Sequence, residues 1–158
     1  MRFAIFAACA ATFGAAAAAP ACQPDSSVAA AGQKPSFFLI RHAEKNQDGT
    51  ISAQGMQREQ CLVKVFGRDS KYDIRHIMVQ TPHPGECAGQ AALRYNGPGN
   101  VLIAWEHHNL RKVSEAIGGK DVPKYPGSQF DLIYNQPSPY REVTVTSEEC
   151  PGLDSGEY

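Results

Sequence analysis

The chain has 158 residues and a formal net charge of −1, and 42% of its residues are hydrophobic. The near-neutral balance argues against a surface for nucleic acid or for an acidic membrane. The length fits one domain, and the hydrophobic content is sufficient for a buried core. Composition therefore predicts a globular domain and leaves its function to local motifs.

The N-terminal segment has the features of a secretory signal peptide. Arg2 precedes an apolar, Ala-rich stretch over 3–19, and Ala19-Pro20-Ala21 fits a cleavage site. We expect a signal peptide at 1–21, a secreted protein and no membrane association after cleavage. A membrane anchor is less favoured because the stretch falls short of the ~20 residues of a spanning helix. A lipoprotein acylated at Cys22 is a weaker alternative, since Ala19 stands where a larger aliphatic residue is usual.

The cysteine count is consistent with an oxidising compartment. Once Cys9 leaves with the signal peptide, an even number remains: Cys22, Cys61, Cys87 and Cys150. Two disulfides with three possible pairings are expected. Cys61 lies in a predicted amphipathic helix, so a buried free thiol is an alternative at that position. The cysteines have no zinc-ligand spacing.

Strands and helices alternate through the predicted domain. We expect a flexible lead-in at 22–35, a folded domain at 36–151 and a frayed tail at 152–158. Strands are predicted at 37–40, 74–80, 101–105, 130–134 and 142–146, and helices at 52–66, 85–95 and 109–117. Ser52 is a candidate helix cap, and Gly67 a helix stop. The alternation predicts a three-layer α/β/α sandwich around a mainly parallel sheet.

Two polar motifs follow buried strands of this predicted sheet. Arg41-His42 ends the apolar run Phe37-Phe38-Leu39-Ile40, and Glu106-His107-His108 follows the run that ends at Trp105. Ligands collect at the carboxyl ends of parallel strands, so both motifs are expected to face one crevice. An arginine neutralises a phosphate and an imidazole supplies a nucleophile. The pattern therefore favours phosphoryl transfer without a metal or an organic cofactor.

The ordered motifs resemble the histidine phosphatase, or phosphoglycerate-mutase-like, superfamily, particularly its small secreted members in filamentous fungi. Arg41-His42-Ala43 is similar to the family's Arg-His-Gly motif, and Ile51-Ser52-Ala53-Gln54-Gly55 to its next signature. Trp105-Glu106-His107 and Cys150-Pro151-Gly152-Leu153-Asp154 extend the resemblance, which covers roughly 36–154. It implies a phosphomonoesterase with His42 as the nucleophile that becomes phosphohistidine. Arg41 and His107 would bind the phosphate, with Glu106 beside them.

The chain departs from the family pattern after the second strand. The family places another arginine on the helix that follows, whereas this chain has no arginine between Arg75 and Arg94. A segment of several tens of residues is absent near Thr81-Pro82-His83-Pro84-Gly85, which a skipped exon or divergence would produce. The family's acid after the second histidine is also missing, because His108 occupies that position. Glu106 and Glu44 are the candidate replacements.

These departures lead to two alternatives to an active phosphatase. One is a non-catalytic protein that keeps a phosphate pocket or serves in interactions. The other is a metal site built from His42, Glu44, Glu106, His107 and His108, which is disfavoured because adjacent histidines on a strand end point in different directions. The sequence does not predict an oligomeric state.

Several further residues have structural interpretations. We expect His76 and Trp105 to be structural and His108 to be an exposed neighbour of the site. Lys45 and Arg58 are expected on a solvated face. Three tyrosines in Pro-rich surroundings are candidates to line a substrate mouth, namely Tyr125, Tyr134 and Tyr140.

Overall fold

The computed structural model describes residues 34–80 and 85–154. The predicted signal peptide at 1–21, Cys22 and most of the lead-in lie outside the described residues. So do His83 and most of the join at which the chain departs from the family pattern.

All eight predicted elements are present in the expected order. The strands are β1 (Phe37–Arg41), β2 (Ile74–Val79), β3 (Asn100–Trp105), β4 (Leu132–Gln136) and β5 (Thr144–Ser147). The helices are α1 (Ala53–Val65), α2 (Gly85–Leu93) and α3 (His107–Ile117). The fold is therefore α/β, as predicted.

The sheet is mixed rather than mainly parallel. Its strand order is β2-β3-β1-β4-β5. β1 and β2 both pair parallel with β3, whereas β4 pairs antiparallel with β1 and with β5. The expectation of a mainly parallel sheet thus holds for the first three strands and is wrong for the pairings of β4. The parallel half is the half that carries the two sequence motifs.

Apolar side chains cover both faces of the sheet, because successive residues of a strand point to opposite sides. On one face, α2 and α3 pack on inward-facing residues such as Phe37, Leu39 and Ile103. On the other, Leu62, Val65 and Phe66 at the end of α1 pack with Ile40, Leu102 and Ile133. Helices on both faces give the three layers expected from the sequence.

Helix α1 begins as predicted, but part of its apolar surface is exposed. Ser52 is the N-cap, and its side chain accepts a hydrogen bond from the Gly55 amide at 3.0 Å. The buried residues are Gly55 and Arg58, whereas the apolar Met56 and Val63 are exposed. Arg58 has only 1% of its surface exposed, so its assignment to a solvated face is wrong. Its partners are carboxylates described below.

A disulfide joins α1 to the C-terminal segment. Cys61 and Cys150 are bonded, which rules out the alternative of a free thiol at Cys61. Cys87 is also disulfide-bonded. Leu153 and Asp154, assigned to the frayed tail by sequence, are held against α1 by hydrogen bonds to Arg58. The C-terminal segment is thus part of the folded domain as far as Asp154.

None of the helices within 34–80 and 85–154 combines the length and the apolar character needed to cross a membrane. A disulfide between Cys61 and Cys150 is consistent with an extracellular protein, because such bonds persist in oxidising compartments.

Removing the Cys61–Cys150 bond should destabilise the domain. The cysteines are separated by 89 residues, and opening a loop of that size enlarges the conformational freedom of the unfolded chain. We expect the double variant Cys61→Ala/Cys150→Ala to lose roughly 2–5 kcal/mol of unfolding free energy, measured by urea denaturation. Val63→Ala, at an exposed position of the same helix, is the matched control. A double variant with the wild-type midpoint would contradict the structural role of this bond.

Candidate functional site

The parallel pairing of β1 and β3 brings the two motifs together. Arg41 lies opposite Trp105 in the register, and the His42 amide donates to the Trp105 carbonyl at 3.1 Å. His42 therefore leaves β1 beside the point at which Glu106 and His107 leave β3. The two motifs therefore lie side by side at the carboxyl ends of adjacent strands, as the sequence predicted.

His107 is the first residue of a helix rather than the last of a strand. α3 begins at His107 with Glu106 as its N-cap, two residues earlier than the sequence predicted. The first turn of a helix has amide groups without intrahelical acceptors and a positive partial charge. His107 consequently lies where an anion is favoured.

Arg41 is buried and only partly satisfied. Its Nη1 donates to the carbonyls of Gly127 and Gln129 at 2.8 and 2.7 Å, and its guanidinium carbon lies 3.5 Å from the centre of the Phe130 ring. Among the described residues its Nε is buried without a hydrogen-bond partner. A buried donor without a partner is costly, so this atom favours a bound acceptor. The loop at 127–130 therefore fixes the guanidinium through Nη1 and leaves Nε without a partner among the described residues.

The His42 imidazole has one nitrogen engaged. Its Nδ1 lies 2.8 Å from the Ala43 carbonyl. A carbonyl can only accept, so Nδ1 carries the hydrogen, and Nε2 of the neutral ring has the lone pair. Burial lowers the pKa of His42, and the charges of Lys45 and Arg41 lower it further. The ring is thus arranged as a neutral base or nucleophile at Nε2.

His107 lies beside the same arginine. Its Nδ1 is buried without a hydrogen-bond partner in the described part of the chain, and its ring packs on His108 with centroids 3.7 Å apart. Gly127, whose carbonyl accepts from Arg41, also lies near this ring, since a Cβ added to Gly127 would be 3.6 Å from His107 Nε2. Burial and then the charge of Arg41 lower the pKa of His107. His108 is exposed, as expected.

Glu106 is the carboxyl group of this site. Its charge acts on Arg41, His42 and His107, and its side chain accepts a hydrogen bond from the Asn109 amide group at 3.4 Å. Its amide is held by the Gln80 side chain at 2.9 Å, which ties the N-terminus of α3 to the end of β2. Glu106 is therefore fixed at the N-terminus of α3, next to Arg41, His42 and His107.

Glu44 does not belong to the reacting groups. Arg58 donates through Nε to both Glu44 oxygens, at 2.9 and 3.1 Å, and forms further ion pairs with Glu148 and Asp154. Both carboxylate oxygens of Glu44 are thus engaged by a buried guanidinium. This geometry favours Glu106 over Glu44 as the replacement for the family's acid. Arg58, in turn, is occupied and does not replace the missing second arginine.

The three tyrosines considered for a substrate mouth lie in the core instead. The Tyr125 hydroxyl accepts from the Leu132 amide, and the Tyr134 hydroxyl donates to the Pro123 carbonyl. Burial raises the pKa of Tyr125 and, to about 12, that of Tyr134. Tyr140 packs against Phe37. Trp105 and His76 have the expected structural roles, the first in the core and the second stacked on Tyr95.

Metal binding receives no support from the geometry. Within 34–80 and 85–154, no three His, Cys, Asp or Glu side chains are grouped so as to hold a metal ion. Of the five residues of the metal alternative, Glu44 is paired with Arg58. The other four lie at the end of β1 and the start of α3.

The loop at 127–130 is the part of the site that sequence reasoning missed. Gly127 and Gln129 hold Arg41 through their carbonyls, and Phe130 covers both the guanidinium and the His42 ring. Backbone carbonyls carry no side-chain signature, so only Pro126-Gly127-Ser128 hinted at a turn here. A cavity of about 200 Å³ lies next to this loop, lined by Glu44, Gln54, Arg58, Ser128, Gln129, Phe130, Asp131 and Leu153.

Comparison of the chain with protein-family models, with curated proteins and with solved structures found no match.

His42 and His107 should each have a pKa below the ordinary histidine value of 6.5, chiefly because burial disfavours their charged forms. NMR titration of the folded protein, compared with the protein unfolded in urea, measures this directly. Since folding lowers both pKa values, their contribution to stability is present above pH 6.5 and is lost as the pH falls through the folded values. Folded-state values equal to those in urea would contradict the described environment.

Proposed function

We propose that this protein is a secreted phosphomonoesterase that acts through a phosphohistidine at His42. The observation that carries the proposal is the pairing of β1 with β3, which places the neutral His42 ring, with its lone pair on Nε2, next to Arg41, whose Nε has no partner among the described residues. Secretion is supported by the signal-peptide pattern at 1–21 and by the disulfide. The ligand would be a phosphorylated small molecule, or phosphate itself, with no cofactor.

In the proposed reaction, Nε2 of His42 attacks the phosphorus of a phosphomonoester. The bond from phosphorus to the ester oxygen breaks, and Glu106 protonates the departing alcohol. A water molecule then attacks the phosphohistidine, phosphate leaves, and Glu106 recovers a proton from that water. Arg41 Nε and the N-terminus of α3 at His107 would stabilise the charge on the phosphoryl oxygens.

The occupation of Arg58 limits the expected rate. Arg58 is held by three carboxylates, so it supplies no second guanidinium to the phosphoryl group. Losing one preorganised donor typically costs about 10²–10³ in rate. The second candidate function follows from this occupation of Arg58: a non-catalytic protein that binds phosphate through Arg41 and His107.

Phosphatase activity should depend on His42. Purified protein is assayed with p-nitrophenyl phosphate at acidic and neutral pH, together with His42→Asn and Arg41→Gln. We expect turnover to fall to background in His42→Asn, because the nucleophile is lost. Arg41→Gln should lose about 10²–10³ in kcat/KM. His76→Asn, which removes a histidine stacked on Tyr95 away from the crevice, is the matched control.

Equal turnover by the wild type and His42→Asn would refute the proposed mechanism. If the wild type shows no turnover, binding decides between the remaining possibilities. A melting temperature that rises with millimolar phosphate or vanadate, and no longer rises in Arg41→Gln, favours the non-catalytic phosphate-binding protein.

A further inference from the structure

Arg58 lies at the centre of a buried ionic cluster. Its guanidinium binds three carboxylates. Glu44 lies after β1, Glu148 lies directly after β5, and Asp154 lies in the C-terminal segment. The contact to Glu148 is 2.7 Å and that to Asp154 is 2.9 Å. We call these four residues the Arg58 cluster. It joins α1 to three parts of the chain that are remote in sequence.

The charges of the Arg58 cluster do not balance. One guanidinium faces three carboxyl groups, and Glu148 Oε1 is buried with no hydrogen-bond partner among the described residues. Burial raises the pKa of Glu148 to about 7, against the lowering effect of Arg58. Buried ion pairs contribute little net stability compared with apolar packing, and their attested use is to fix a specific geometry. The geometry fixed here is that of Glu44.

Glu44 is held through both its side chain and its backbone. Arg58 grips its two carboxylate oxygens, and its carbonyl accepts from the Ser52 amide at 3.0 Å. Gly55 packs so closely on that carbonyl that a Cβ at this position would overlap it. The first turns of α1 therefore fix Glu44, the residue that follows Ala43, through its side chain and its own carbonyl.

Ala43 consequently lies between two anchored residues. On one side the His42 amide is bonded to Trp105 in β3, and on the other Glu44 is bonded to α1. The Ala43 carbonyl, which accepts from His42 Nδ1, has little freedom to turn away.

We propose that the Glu44–Arg58 pair is a positioning device for His42. It holds the Ala43 carbonyl against Nδ1, and so keeps the hydrogen on Nδ1 and the lone pair on Nε2. This inference rests on the proposed function of His42 as the nucleophile. Glu44 and Arg58 are positioning residues, because they act through Ala43 and touch neither the imidazole nor the phosphate.

The test compares two variants that each neutralise one carboxylate of the Arg58 cluster. Glu44→Gln weakens the ion pair between Arg58 and the residue that follows Ala43. Asp154→Asn weakens the ion pair between Arg58 and the C-terminal segment. The readout is the nitrogen NMR spectrum of the His42 side chain above its pKa, which reports the tautomer without requiring any turnover. We expect the wild type and Asp154→Asn to have a single Nδ1–H tautomer, and Glu44→Gln to gain the Nε2–H tautomer.

Arg58→Lys serves as a second variant, since it keeps the charge but cannot form the bidentate pair. It should change the His42 tautomer as Glu44→Gln does. The inference is overturned if Glu44→Gln and Arg58→Lys keep the wild-type tautomer, or if Asp154→Asn changes it equally. A wild type without phosphatase activity would instead overturn the proposed function, and the tautomer result would still stand.

Discussion

The parallel pairing of β1 with β3 is the constraint on which the site depends. The register that sets Arg41 opposite Trp105 also delivers His42 beside the N-terminus of α3. Neither motif alone has a chemistry beyond that of a surface arginine or histidine. The pairing of the two strands brings together a cation, a neutral imidazole and a helix N-terminus, which together favour an anion.

Around this pairing, buried polar groups determine the orientation of the site. Arg41 is aimed by the carbonyls of the loop at 127–130, and His42 by the carbonyl of Ala43. Arg58 and the Cys61–Cys150 bond secure α1 and the C-terminal segment behind the His42 loop. Arg41 and His42 are thus each held by backbone carbonyls. Preorganisation of this kind is what electrostatic catalysis requires.

The sequence predicted the elements well because their signals are local. The Ser52 side chain caps α1 by accepting from the amide three residues later. The apolar runs that precede Arg41 and Glu106 form the central strands β1 and β3. It also predicted which residues meet, since chain order and parallel pairing place strand ends together. Arg58 was misread because its partners lie 14, 90 and 96 residues away, beyond any helical pattern. The antiparallel pairing of β4 was not predicted, because an apolar run does not encode the direction of a strand in the sheet.

The central claim is that the phosphoryl group passes through His42, and trapping that intermediate tests it most directly. The protein is mixed with a radiolabelled phosphomonoester, quenched in alkali and analysed for the labelled peptide. The account predicts label on the peptide that contains His42, and no label on His42→Asn. Phosphate release by the wild type without labelled protein, or label that persists in His42→Asn, would contradict it.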